Sequence, residues 1–193
     1  RRATFSVGGG SQNIQAITTA VNNKVGLIGS IIARIVALGY DGVTLDIENT
    51  NIDPQKMVEF IVALRTQMDL IKSGLIIGVY TQMVQLGTVW KKIQDAKAAI
   101  TWLAPMIYDA GSYDANIWKA RVKEWEPKVG KDKLLAGISV NYPVTKGGLN
   151  PVQYGEVLDM IHAEGWRGVG VWQNTLFTDP WKQVHRVKFP VIA

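Results

Sequence analysis

The residues best suited to chemistry in this sequence are Asp46 and Glu48, two carboxylates set in the otherwise apolar run Gly42-Val43-Thr44-Leu45-Asp46-Ile47-Glu48. An extended strand sends successive side chains to opposite faces, so Val43, Leu45 and Ile47 share one face and Gly42, Thr44, Asp46 and Glu48 the other. Two residues of strand rise separate the acids by roughly 6.6 Å at Cα, and carboxylates that close perturb each other's ionisation. Such a pair does acid–base work in an active site; the alternative is a buried structural couple. Other chemistry-bearing types are sparse. There is no Cys, and His162 and His185 are the two imidazoles. Thiolate metal sites and disulfides are therefore excluded, no metal site is expected, and both histidines fit surface or packing roles. Gly8-Gly9-Gly10-Ser11 follows a short strand pattern at 3–7, but no Lys-Ser/Thr pair comes after it and the spacing is not GxGxxG. These glycines are expected to let the backbone turn tightly and approach its neighbours closely.

Hydrophobic periodicity supplies the elements that must position the acids. Leu27, Ile28, Ile31, Ile32, Ile35 and Leu38 fall at helical spacing, and Gly39 follows as a stop. Asp53-Pro54 has the form of an N-cap with proline in the first turn, opening a helix with the stripe Met57, Phe60, Ile61, Leu64, Met68 and Ile71. Apolar runs at 75–80 and 100–108 read as strands covered on both faces, the second with Met106 and Tyr108 on one side. A helical stretch through Trp90 and Ile93 lies between them. Asp114 caps a helix carrying Trp118, Val122 and Trp125, which Pro127 and Gly130 end. Strands at 134–140 and 168–172 flank a helix that runs from Asn150-Pro151 to Gly165, and Asp179-Pro180 opens a short terminal helix.

Strands and helices thus alternate six times, the pattern of a parallel α/β fold. An open doubly wound sheet and a barrel both fit that alternation. Ser6, Asp46, Glu48, Tyr80, Tyr108 and Trp172 decide for the barrel, because all sit at C-terminal ends of strands, which in a TIM-type (β/α) barrel converge on one mouth. One barrel domain over residues 1–193 is expected. The chain is 47% apolar and 19% charged and has no apolar run long enough to cross a bilayer, so a packed core is expected and a membrane partner is not. The net charge of +5 is scattered over the chain, which gives no support to a nucleic-acid partner.

The stretch Asp41-Gly42-Val43-Thr44-Leu45-Asp46-Ile47-Glu48 resembles the signature DGxDxDxE of glycoside hydrolase family 18, the chitinases and their relatives. Ser6-Val7-Gly8-Gly9 is similar to the family's SxGG motif and Met106-Ile107-Tyr108-Asp109 to its MxYD motif, and Trp172 falls where the family carries the tryptophan of its last strand. The resemblance covers nearly the whole chain. It implies a chitinase-type barrel, no cofactor, a chitin or chitooligosaccharide substrate, and secretion. It implies that Glu48 is the general acid and that Asp46 orients the substrate's acetamido group and stabilises the charge that develops as its oxygen attacks the anomeric carbon. Tyr108 would hydrogen-bond the same group from the other side. Trp172 would form the floor under the sugar, Asp109, Tyr80 and Gly9 would bind substrate, and Ser6, Thr44 and Asp41 would support the acidic strand.

Two departures from the family pattern carry expectations of their own. Thr44 stands where the family has the first aspartate of DxDxE; it can donate a hydrogen bond to Asp46 but holds no charge, so Asp46 is expected to ionise more readily. The SxGG motif lies on the family's third strand yet begins at residue 6 here. The first two strand–helix units are therefore expected to be missing, the barrel to be incomplete, and open sheet edges to favour self-association. The expected activity is endo-acting, retaining hydrolysis of β-1,4-linked N-acetylglucosamine polymers. An endo-β-N-acetylglucosaminidase acting on glycoprotein glycans stands close to it, and a non-catalytic chitinase-like lectin or inactive truncated relative is the alternative.

Overall fold

The computed structural model of the chain describes residues 2–9, 14–48, 51–140, 147–172 and 182–185. Six parallel strands follow one another in chain order through the sheet: β1 (Phe5–Gly8), β2 (Gly42–Ile47), β3 (Ile76–Gln82), β4 (Trp102–Met106), β5 (Leu135–Ser139) and β6 (Gly168–Trp172). α-Helices lie between successive strands everywhere but between β3 and β4. The chain divides into two compact units, Arg1–Leu103 and Ala104–Ala193.

In the first unit β2 lies between β1 and β3, paired from Phe5↔Val43 to Gly8↔Asp46 on one side and from Gly42↔Ile76 to Ile47↔Thr81 on the other. Val43, Leu45 and Ile47, with Ile77 and Val79 of β3, are fully buried, which is the apolar face that strand alternation assigns. Three helices accompany these strands: α1 (Ile14–Asn22), α2 (Lys24–Leu38) and α3 (Pro54–Ile71). Gly39 ends α2 in the left-handed conformation, φ 67°, and its N–H returns to the Ile35 carbonyl. Asp53 caps α3 by accepting the N–H groups of Gln55 and Lys56 at 2.9 and 3.0 Å. Met57, Phe60, Ile61, Leu64 and Met68 are buried, whereas Ile71, the last residue of α3, is 42% exposed and drops out of the stripe. The sequence reading did not include α1. Its paired Thr18-Thr19 are β-branched and weak helix formers. The strand β1 is only partly covered, Ser6 being exposed, and a groove of about 790 Å³ runs between β1 and the helices α1 and α2.

The helix expected through Trp90 and Ile93 is replaced by two 3₁₀ turns, Met83–Gly87 and Ile93–Ala96, with further turns between them. The first of them opens with the Gln85 side-chain oxygen accepting the Gln82 N–H at 3.1 Å, and Trp90 is nonetheless fully buried.

In the second unit β4 pairs with β5 at Met106↔Gly137, and β5 pairs with β6 from Leu135↔Gly168 to Ser139↔Trp172. The strand expected to reach residue 108 stops at Met106, and Ile107–Ala110 forms a 3₁₀ turn that ends at Gly111. Tyr108 therefore sits on a turn past the strand and does not share a strand face with Met106. Asp114 caps α4 (Ala115–Lys123) as expected, and Trp118, Val122 and Trp125 have no exposure. Pro127 does not end that helix. It occupies the first turn of a second one, α5 (Glu126–Val129), which Gly130 ends, because the N–H that proline lacks has no helical partner in a first turn. The last long helix, α6 (Pro151–Glu164), opens with a capping box between Asn150 and Gln153 and stops at Gly165. Residues 182–185 are helical, and the Tyr154 hydroxyl meets His185 Nδ1 at 2.7 Å; Asp179-Pro180 lies outside the described residues.

Candidate active site

The acidic strand delivers Asp46 near the C-terminal end of β2 and Glu48 just beyond it, both half-buried, with the fully buried Ile47 between them. The pairing register puts Gly8, Asp46 and Tyr80 in one row across β1, β2 and β3. On the β1 side the approach is all backbone. Gly8 has φ 105°, and a Cβ there would run into the Asp46 carbonyl. Gly9 then donates its N–H to that carbonyl at 2.8 Å. The glycine run is thus a close approach of two strands, the role that tight backbone contact reserves for glycine; Gly10 and Ser11 lie outside the described residues.

The Asp46 carboxyl is pushed up from 3.8 to about 6, first by burial and second by the charge on Glu48. Its Oδ1 is buried and has no hydrogen-bond partner among the described residues. The bond expected from Thr44 is not made: Thr44, only 7% exposed, pairs its hydroxyl with that of Thr4 at 2.8 Å. The rise at Asp46 is relative to a free carboxyl, so it does not bear on the comparison with an aspartate at position 44. On the β3 side, Tyr80 lies edge-on to Trp102, ring centroids 5.3 Å apart at 73°. Burial, and then the charge of Asp46, push its phenol up to about 12, so it remains a neutral hydrogen-bonding group at neutral pH.

Asp41 supports the opposite end of β2. Its carboxylate accepts the Ala3 N–H at 2.8 Å, its own N–H donates to the Ala3 carbonyl at 2.7 Å, and its carbonyl accepts the Ile76 N–H at 2.8 Å. Ser6 stands in register with Thr44. Tyr108, 6% exposed, belongs to the second unit, and Trp172 closes β6 opposite Ser139; the side chains of Asp109 and Trp172 lie outside the described residues. Among the described residues no group of three or more His, Asp or Glu could hold a metal ion.

Gln82 is a residue that the sequence reading missed. Its Nε2 donates to Glu48 Oε2 at 3.3 Å. The signal that could have found it is its place two residues after Tyr80, on the same strand face, which repeats the spacing of Asp46 and Glu48 one strand over.

No family model and no curated protein sequence matches the chain. Solved structures do. A GH18 chitinase from Pseudoalteromonas aurantia superposes with a TM-score of 0.78 at 20% identity, covering 96% of this chain and 76% of its own. A chitinase from Chromobacterium violaceum gives 0.75 at 13% identity, with 98% and 80% covered. A GH18 chitinase from Cycas revoluta, solved in complex with (GlcNAc)3, gives 0.73 at 14% identity, with 96% and 79% covered. The chain therefore has a chitinase-like glycoside hydrolase fold. Its six strand–helix units are of the TIM-barrel type that the GH18 chitinases carry.

Proposed function

We propose that the chain is a glycoside hydrolase that cleaves β-1,4-linked N-acetylglucosamine polymers, chitin or its oligosaccharides, with Glu48 as general acid and Asp46 as the group that orients the acetamido substituent. The observation that carries this reading is the Asp46–Glu48 pair itself: two half-buried carboxyls at a strand's C-terminal end, one of them pushed up to about 6 and presenting a buried oxygen with no partner among the described residues. A buried acceptor without a donor is costly, and an acetamido N–H supplies one. In the reaction, Glu48 gives its proton to the glycosidic oxygen, and the bond from that oxygen to the anomeric carbon breaks with its electron pair going to the leaving sugar. The acetamido carbonyl oxygen forms the new bond to the anomeric carbon, and Asp46 takes up the acetamido N–H as positive charge develops there. Water then opens the cyclic intermediate, with Glu48 accepting its proton, and the configuration at the anomeric carbon is retained. Tyr80 and Gly9 fall to substrate binding.

Hydrolysis of chitotetraose by wild type and Glu48→Gln tests the reading. Loss of a general acid slows cleavage by about 10² to 10⁴-fold while binding is kept. Cleavage by Glu48→Gln at the wild-type rate would overturn the assignment. Binding by the wild type without any cleavage would make the protein a lectin.

A further inference from the structure

An acid that protonates a glycosidic oxygen has to carry its proton on the oxygen that faces the substrate, and a free carboxyl has two to choose from. The Gln82 amide bears on that choice. Its Nε2 donates to Glu48 Oε2 at 3.3 Å, and the backbone that carries the amide is fixed by a second set of bonds. The Gln85 side-chain oxygen accepts the Gln82 backbone N–H at 3.1 Å and the Thr81 hydroxyl at 2.6 Å. Turning the amide over would set its carbonyl oxygen against the Glu48 carboxylate left after proton transfer, acceptor against acceptor. Thr81 and Gln85 have no exposure, so water does not compete for the two bonds to the Gln85 oxygen and the backbone that carries Gln82 stays in place beside Glu48.

We propose that Gln82 is a positioning residue that holds Glu48 Oε2 as the hydrogen-bond acceptor and so keeps the transferable proton on Oε1; this rests on the reading of Glu48 as the general acid. An amide NH2 can only donate, and the carbonyl oxygen of a neutral carboxyl is its better acceptor, so a fixed donor at Oε2 selects the arrangement with O–H at Oε1. After the proton has passed to the glycosidic oxygen and the bonding electrons have left with the sugar, the same N–H stabilises the carboxylate that remains. At 3.3 Å the contact is longer than the roughly 2.9–3.0 Å typical of N–H···O bonds, and it has room to shorten as Glu48 becomes an anion.

The test compares a substrate whose leaving group needs the proton with one that does not. Wild type, Gln82→Leu, Gln82→Met and Glu48→Gln are assayed on chitotetraose and on the 2,4-dinitrophenyl glycoside of chitobiose, whose phenol departs unprotonated. Misdirecting the acid forfeits part of its contribution, so Gln82→Leu and Gln82→Met should lower kcat on chitotetraose by about 10 to 100-fold with KM within about 2-fold. The aryl substrate should lose less than about 3-fold, a selectivity that a general loosening of the site would not produce. Equal losses on the two substrates, or unchanged rates on both, would overturn the role of Gln82. If Glu48→Gln abolishes chitotetraose cleavage while the Gln82 variants match wild type, the proposal falls and the reading of Glu48 stands. Chitotetraose left intact by the wild type, or cleaved equally by Glu48→Gln, removes both.

Discussion

Asp46 holds its proton to about pH 6 in the folded chain, against 3.8 for the free carboxyl, and this couples the site to stability. Between those values the folded state binds a proton that the unfolded chain releases, so the folded state carries more protons and stability falls as pH rises through that window. The penalty is complete above the folded value and absent below the unfolded one. Asp46→Asn is therefore expected to raise the melting temperature at about pH 7.5, with the gain closing near pH 3.5 where the carboxyl is protonated in both states. Thermal melts followed by circular dichroism at the two pH values check this; a gain of equal size at both would trace to something other than ionisation. At this scale the sequence exposed Asp46 and Glu48 because carboxylates inside an apolar strand contradict strand propensity. It concealed Gln82, a neutral amide at a strand end that looks like any surface residue. It also concealed the partner of Thr44, since Thr4 is 40 residues away and only strand pairing brings the two hydroxyls together.

The acidic strand is set at its distance from β1 by bare backbone. Gly8, at φ 105° and with no room for a Cβ against the Asp46 carbonyl, admits no side chain without strain in its own dihedrals and displacement of β2. Backbone strain of this kind costs of order 1–3 kcal/mol, and the collision adds to it. Gly8→Ala should accordingly lose more than about 2 kcal/mol in urea unfolding, more than the roughly 1 kcal/mol expected for removing a helix cap such as Asp53. A loss under that of the cap would mean the two strands part easily. Helix starts and stops were legible from residue type because each solves a local problem: Asp53, Asp114 and Asn150 accept first-turn N–H groups, and Gly39 and Gly165 adopt the left-handed conformation that ends α2 and α6. The 3₁₀ turns at Met83–Gly87 and Ile107–Ala110 were not. Their lengths are too short for a period to declare itself, and the first is settled by a side-chain cap that no periodicity encodes.

Across the whole chain, alternation carried the parallel α/β class, and the polar and aromatic residues at strand ends carried the choice of a barrel. Six strands returned in the expected order, because buried parallel strands and one-sided helices leave different hydrophobic patterns. The division at Leu103 left no such trace: it falls inside β4, which is apolar on both sides of the break, where no change of composition marks it. Each unit nonetheless carries its own fully buried indoles, Trp90 in the first and Trp118 and Trp125 in the second, all three with ring N–H groups that have no hydrogen-bond partner among the described residues. In optical terms these are chromophores in an apolar solvent. Their folded-state emission should lie to the blue of free tryptophan and move red as water reaches them. The difference trace between wild type and Trp90→Phe during a denaturant titration then reports residues 1–103, and that between wild type and Trp118→Phe reports residues 104–193. Emission at the wavelength of free tryptophan before any denaturant is added would contradict the burial of these rings. The same indoles that fill the two cores thus give each unit a colour of its own.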